Sequence, residues 1–121
     1  MFSGIIQTLG SLKSLESSPD KKTLCIDSKF YLDQDICSGQ SVGVDGICLT
    51  LIKKNQNLLY FDVLDETIRC THLKNIQIGK MFNLERALRL GDEVGGHLVT
   101  GHIDDVGVVD SVTHIGNDVV L

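Results

Sequence analysis

The sequence predicts an all-β protein: a small antiparallel Greek-key-type β-barrel of about six strands with a short capping helix, followed by an incomplete second barrel. Glycine is frequent, with 12 residues, and proline occurs once. Short β-rich runs recur between polar or glycine breaks, which is typical of antiparallel barrels and sandwiches. An internal repeat, described below, predicts the second barrel.

Six runs of the sequence are predicted to form the strands of the first barrel. The dipeptide Asp45-Gly46 favours a hairpin turn between the third and fourth runs, and Lys54–Asn57 fits a loop between the fourth and fifth. The predicted strands are Gly4–Leu9, Thr23–Ile26, Ser41–Val44, Ile47–Ile52, Leu58–Val63 and Met81–Glu85.

One segment has a helical pattern. Asp65 is a favourable N-cap residue, and the apolar residues at 64, 68 and 73 fit one side of a short helix. We therefore expect a helix within Asp65–Leu73 that closes one mouth of the barrel.

The first 15 residues resemble a later part of the same chain. Residues 1–15 align with residues 98–112, with identities at Gly4/Gly101, Ile6/Ile103, Gly10/Gly107 and Ser14/Ser111. A repeat of this kind predicts two copies of one structural unit. We expect residues 1–97 to form the first barrel and its linker, and residues 98–121 to begin a second, truncated barrel. The hairpin expected within residues 104–121 would lack partner strands, so we expect association, most simply as a dimer of barrels.

Composition and charge exclude several classes of function. The net charge of −5 and the 5% aromatic content argue against nucleic-acid binding, which needs basic groups and stacking rings. The apolar runs are far shorter than the ~20 residues that span a bilayer, and the N-terminus lacks the basic start of a signal peptide. We therefore expect a cytoplasmic protein with no nucleic-acid or membrane partner.

The four cysteines, Cys25, Cys37, Cys48 and Cys70, contain no Cys-x-x-Cys pair. This spacing does not favour a zinc site, and in a reducing compartment free thiols are expected. The sequence predicts no metal site.

Five segments of the chain, in order, resemble the riboflavin synthase family. They are MFSGIIQ (1–7), SVGVDGICLTL (41–51), FDVLDETIRCTHL (61–73), NLERAL (83–88) and GGHLVTGHID (95–104). The resemblance implies tandem barrels, about twice this length, that assemble as trimers. It also implies that two molecules of 6,7-dimethyl-8-ribityllumazine react by four-carbon transfer to give riboflavin and 5-amino-6-ribitylamino-uracil, without a cofactor. Each active site would lie between an N-terminal barrel and the C-terminal barrel of a neighbouring subunit.

The resemblance also implies a set of ligand-binding residues and three candidate catalytic residues. The candidate catalytic residues are Ser41, Cys48 and His102. The implied substrate-binding residues are Gly4, Ile5 and Ile6; Cys48, Leu49 and Thr50; Asp62, Val63, Leu64, Asp65, Glu66 and Thr67; and Gly101, His102 and Ile103.

These residue types suit a flat polar ring with a ribityl tail, although each has a structural alternative. Gly4–Ile6 would supply an apolar wall or form an ordinary strand with a glycine bulge. Cys48 would donate to the ring, act as a nucleophile or pack as a small apolar group. Asp62, Glu66 and Thr67 would bind the polyol tail. The structural alternative is that Glu66 and Thr67 only fill the first turn of a helix. His102 would transfer protons or be structural.

Two further residues have open roles. Phe2 would cover the ligand ring or insert into a neighbouring subunit. Glu85 and Arg86 would form a salt bridge at the barrel rim or a solvated strand end, and we expect the solvated strand end. The alternative to an enzyme is a lumazine- or flavin-binding protein without turnover.

Overall fold

The computed structural model describes residues 1–31 and 35–121, and its main feature is a closed antiparallel β-barrel. The order of strands around the barrel is β1-β2-β5-β4-β3-β6, so β2 lies beside β5 and the β3–β4–β5 meander in a Greek-key arrangement. The all-β barrel predicted from the sequence is confirmed. The strands are β1 (Thr8–Ser17), β2 (Lys21–Asp27), β3 (Ser41–Val44), β4 (Ile47–Asn55), β5 (Leu58–Leu64) and β6 (Met81–Arg86).

Most of the barrel core consists of alternate residues of the strands. In β5, Leu59, Phe61 and Val63 are buried, while the residues between them are partly exposed. This alternation follows from the pleat of a strand, which turns successive side chains to opposite faces. Tyr31, in a 3-10 turn at Lys29–Tyr31, lies in the same core, and burial raises the pKa of its phenol to about 12.

The predicted bounds of the first strand, Gly4–Leu9, are wrong, because β1 begins at Thr8 and ends at Ser17. The φ angle of Gly4 is +81°, which interrupts an extended strand. The amides of Ser3 and Gly4 donate to the carboxylate of Glu85 rather than to a β-ladder. The strand then pairs with β6 over residues 8–11 and continues along β2.

The predicted helix within Asp65–Leu73 consists of a helix and a 3-10 turn. Helix α1 covers Asp65–Arg69, and the 3-10 turn covers His72–Asn75. The predicted N-cap is wrong: Leu64 occupies that position, without a side-chain cap hydrogen bond, and Asp65 is the first helical residue. Ile68 and Leu73 are buried in the barrel core, so this segment does close one end of the barrel.

The C-terminal part of the chain adds no strand to the barrel. Strands β7 (Thr113–Ile115) and β8 (Asp118–Val120) form a separate hairpin, and residues 102–121 are exposed. Within residues 1–31 and 35–121, no helix has the length and apolar character needed to cross a membrane.

Candidate functional site

A cleft of about 340 Å³ lies where the start of β4, helix α1 and the segment 101–104 meet. Its volume falls within the range typical of small-molecule sites. Its walls contain both apolar and hydrogen-bonding groups. The residues that line it are Ile47, Cys48, Leu64, Glu66, Thr67, Cys70, Thr71, Gly101, His102, Ile103 and Asp104.

The first wall is the beginning of β4. Asp45 and Gly46 have φ angles of +48° and +82°, which form the tight turn expected for Asp-Gly between two strands. Ile47 is buried in the core, so the alternation of the strand turns the half-buried Cys48 to the other face. The thiol of Cys48 is therefore available at the cleft.

The second wall is α1 and the residue pair that follows it. The hydroxyl of Thr71 donates to the carbonyl oxygen of Thr67 at 2.6 Å and accepts from the amide of Leu73 at 3.3 Å. The amide of Cys70 donates to the carbonyl of Glu66 at 3.0 Å. This wall offers a carboxylate, hydroxyl groups and a second thiol, a combination that can bind polar ring atoms or a polyol.

The third wall is the segment 101–104, which is held against β4. The amide of Cys48 donates to the carbonyl oxygen of Gly101 at 2.8 Å. The φ angle of Gly101 is +78°, and a Cβ atom there would lie 2.9 Å from the Cβ of Cys48. Glycine is therefore required at position 101 by both its conformation and the close approach. His102 follows Gly101, lines the cleft and is exposed.

The N-terminal residues hold this third wall in place. Phe2 and Val99 form an antiparallel bridge, with N···O distances of 2.9 and 3.0 Å, and the amide of His97 donates to the carbonyl of Ser3 at 2.9 Å. The ring of Phe2 is 2% exposed, and a Cβ atom at Gly43 would lie 3.4 Å from it. Phe2 is thus an anchor in its own barrel, and it is not among the residues that line the cleft.

The cleft brings together part of the predicted site. The predicted residues that line it are Cys48, Leu64, Glu66, Thr67, Gly101, His102 and Ile103. Leu49 and Val63 are buried in the barrel core, whereas Thr50 and Asp65 are exposed outside the lining. Any contact of a cleft ligand with Leu49 or Val63 would therefore involve the backbone.

Asp62 has partners within the barrel. Its carboxylate forms an ion pair with Lys21 and accepts a hydrogen bond from the hydroxyl of Thr23 at 2.7 Å. These hydrogen bonds, that of Lys21 first, lower the pKa of Asp62. The carboxylate joins β5 to β2 and does not line the cleft.

Ser41 and Gly4–Ile6 also lie away from the cleft. Ser41 lines a small separate groove with Arg86 and Leu88. Ile5 lines a third groove beside Glu85 and is 50% exposed.

The predicted solvated pair of Glu85 and Arg86 is wrong. Glu85 is 7% exposed, and its carboxylate oxygen accepts hydrogen bonds from the amide and hydroxyl of Ser3 and the amide of Gly4. Arg86 instead pairs with Asp92 at 3.7 Å. The carboxylate of Glu85 is buried because the donors of the N-terminal turn take the place of the water that a solvated rim position would offer.

Sequence reasoning missed several residues of the cleft. Cys70 and Thr71 follow Thr67 by three and four positions, the spacing that places residues on one side of a helix. Helical spacing from Thr67 was therefore a usable signal for them. Ile47 and Asp104 adjoin predicted site segments, and nothing in their residue types distinguishes them.

The four cysteines are free thiols. No group of three His, Cys, Asp or Glu residues within residues 1–31 and 35–121 is arranged to hold a metal ion.

The six-stranded Greek-key barrel and a cleft with both apolar and hydrogen-bonding walls are typical of a small-molecule-binding barrel domain. The chain belongs to the lumazine binding domain family, whose sequence profile matches residues 3–87. The resemblance found in the sequence is thereby confirmed.

Comparison with curated proteins gives riboflavin synthases as relatives. The enzyme of Chlamydia muridarum is 46% identical over 112 residues, which cover 93% of this chain and 56% of the relative. The enzyme of Escherichia coli is 38% identical over 103 residues, which cover 85% of this chain and 48% of the relative. The chain spans about half the length of the curated relatives it matches.

Solved structures with the same fold contain bound ligands. The crystal structure of LumP complexed with riboflavin matches with a TM-score of 0.81 and 29% identity, covering 98% of this chain and 64% of that chain. The structure of LumP complexed with 6,7-dimethyl-8-(1'-D-ribityl) lumazine matches with a TM-score of 0.78 and 28% identity, covering 98% and 63%.

Proposed function

We propose that this chain binds 6,7-dimethyl-8-ribityllumazine in the cleft between β4, α1 and residues 101–104, as one lumazine-binding barrel of a riboflavin synthase. One observation carries the proposal. Cys48, Thr67 and His102 come from three distant segments, each implied in ligand binding by the family resemblance, and all three line one cleft. The similarity to riboflavin synthases and to ligand-bound LumP supports it.

The proposed reaction is the transfer of a four-carbon unit between two lumazine molecules, which requires the removal of a proton from a ring methyl group. His102 lines the cleft and is exposed, and a histidine in that place is a candidate general acid or base. Cys48 supplies a thiol close to the same space. Ser41 lines a separate groove, so we give it no direct part in chemistry within this cleft.

The proposed domain division is a first barrel with linker in residues 1–97 and the start of a second barrel in residues 98–121. The matching left-handed φ angles of Gly4 and Gly101, +81° and +78°, support this division. By the repeat, Gly4–Ile6 would serve a second barrel as Gly101–Ile103 serve this one. The trimer implied for full-length relatives, a dimer of this chain, the cytoplasmic location and the lack of nucleic-acid or membrane partners stay predictions.

A matched pair of histidine variants tests the binding proposal. We expect 6,7-dimethyl-8-ribityllumazine to change its fluorescence on titration with the chain. His102→Gln should weaken binding by about tenfold, the effect of one lost hydrogen bond. His114→Gln, in the exposed hairpin β7–β8, should leave binding unchanged. A chain that does not alter ligand fluorescence and does not retain ligand in equilibrium dialysis would refute the proposal.

The alternative function is lumazine or flavin binding without turnover, which the ligand-bound LumP structures favour. Riboflavin absorbance after incubation with lumazine distinguishes the two. The chain should be assayed alone and fused to the C-terminal half of the Chlamydia muridarum enzyme, its 46% identical relative. Formation of riboflavin by the fusion supports the enzyme, whereas binding without riboflavin in both assays supports the binding protein.

A further inference from the structure

We propose that Glu85 is a positioning residue for the cleft, because its carboxylate holds the N-terminal segment that in turn holds Gly101 and His102. The test of this inference by lumazine binding rests on the proposed function. Its test by amide hydrogen exchange is independent of that function. The carboxylate oxygen Oε1 of Glu85 accepts hydrogen bonds from the amide of Ser3 at 2.7 Å, the hydroxyl of Ser3 at 2.9 Å and the amide of Gly4 at 3.1 Å.

These hydrogen bonds are strong and costly to lose. Glu85 is 7% exposed, and hydrogen bonds to an ionised carboxylate are about twice as strong as neutral ones. Two successive amides, those of Ser3 and Gly4, point at this one oxygen. If the carboxylate is removed, these donors lose their acceptor in a partly buried position.

The N-terminal segment transmits this restraint to the third wall of the cleft. The carbonyl of Ser3 accepts from the amide of His97, and Phe2 pairs with Val99 in both directions. A Cβ atom at Gly96 would overlap the carbonyl oxygen of Ser3, which shows how closely the two segments pack. Two residues after Val99, the carbonyl of Gly101 accepts from the amide of Cys48.

The segment 97–103 depends on these few bonds. Among the described residues, its backbone hydrogen bonds to the rest of the chain are the three with Phe2 and Ser3 and the one with Cys48. The Glu85 backbone, in contrast, pairs with Gly43 in the β3–β6 ladder whatever its side chain. A change of the Glu85 side chain should therefore loosen the wall of the cleft while the barrel stays folded.

Two substitutions and a matched control test the inference. Glu85→Leu removes the acceptor, Glu85→Gln keeps an acceptor oxygen without the charge, and Glu16→Leu changes an exposed glutamate of β1. The readout is amide hydrogen exchange by NMR. In Glu85→Leu we expect exchange at Val99 and Cys48 to rise about tenfold or more, while exchange at Leu24 in the core stays within about twofold. Glu85→Gln should show a smaller rise, and Glu16→Leu none.

The affinity for 6,7-dimethyl-8-ribityllumazine should fall in the same order, with Glu85→Leu weakest. If the unaltered chain does not bind lumazine, the proposed function fails, but the exchange data still decide the role of Glu85. Unchanged exchange at Val99 in Glu85→Leu overturns the inference, as does an equal rise at Val99 and Leu24, which would indicate a general structural role. If Glu85→Leu does not fold, Glu85→Gln decides by the same comparison.

Discussion

Substitution of Gly101 by alanine is the sharpest test of how the cleft is built. The added methyl group has to fit against the β3–β4 turn and β4. It would lie 2.9 Å from the Cβ of Cys48, 3.0 Å from its amide nitrogen and 3.1 Å from the carbonyl oxygen of Gly46. Most of these atoms belong to the barrel backbone, so they cannot move aside by a side-chain rotation.

Two costs add up in this variant. An L residue in the left-handed conformation, here at a φ of +78°, costs about 1–2 kcal/mol. Overpacking against a rigid neighbour costs about 1–3 kcal/mol more. The sum of about 2–5 kcal/mol corresponds to at least ~30-fold weaker docking of the segment. Because residues 98–103 lie outside the barrel ladder, this cost falls on docking and hardly on global unfolding.

The assay is amide exchange at Cys48 together with lumazine titration. In Gly101→Ala the Cys48 amide should exchange at least ~30-fold faster, and lumazine should bind more weakly, with a melting temperature near that of the unaltered chain. Gly107→Ala is the control, because a Cβ atom there meets no described atom within 4 Å and its φ is not left-handed. Normal exchange and normal binding in Gly101→Ala would refute the reasoning that residue 101 forms a docked wall.

Three further predictions concern the core, pH and the cleft thiol. Phe61→Ala should lower the free energy of unfolding by about 3–5 kcal/mol in urea titrations, because the ring is fully buried; a loss below about 1 kcal/mol would contradict this core assignment. Lys21 beside Asp62 lowers the pKa of the Asp62 carboxyl below its usual 3.8. The ionised carboxylate therefore stabilises the fold above pH 3.8, and this stabilisation is lost as the pH falls through the lower pKa of the folded state. Thermal melts from pH 6 to pH 2 should therefore show a smaller loss in Asp62→Asn than in the unaltered chain, and parallel curves would contradict this. Lumazine should slow the reaction of Cys48 with a thiol reagent but not that of the exposed Cys37, and equal rates at Cys48 with and without ligand would place the ligand elsewhere.

Much of the barrel could be predicted because its signals are local. The alternation of β5 and the Asp45-Gly46 turn depend on neighbouring residues alone, and both are found in the structure close to the predicted positions. The start of β1 could not be predicted this way. The Gly4 amide donates to the carboxylate of Glu85 instead of to a β-ladder. Glu85 is 81 residues from Gly4 in the chain, so no local pattern indicates this partner.

The site was only partly predictable for the same reason. Cys48, Thr67 and His102 were implied by family resemblance, and they do line one cleft. Ser41 is separated from them because only some strand ends face α1. Which ends do so depends on the closure of the whole barrel, and no single segment of the sequence determines it. The role of Glu85 was missed because a charged residue at a strand end is usually solvated, and its backbone partners are far away in sequence.

The bridge between Phe2 and Val99 bears on the proposed division into two barrels. In the repeat alignment these two residues occupy equivalent positions, and each donates to the carbonyl oxygen of the other. Such a reciprocal pairing of equivalent positions is what a local two-fold axis produces. Rotation about that axis would carry Gly101, docked on β4 of the first barrel, onto Gly4, which has the same left-handed conformation but is exposed. In the proposed two-barrel arrangement, the rotation that brings Gly101–Ile103 to this barrel would direct Gly4–Ile6 to the second barrel, which accounts for their absence from the cleft between β4, α1 and residues 101–104.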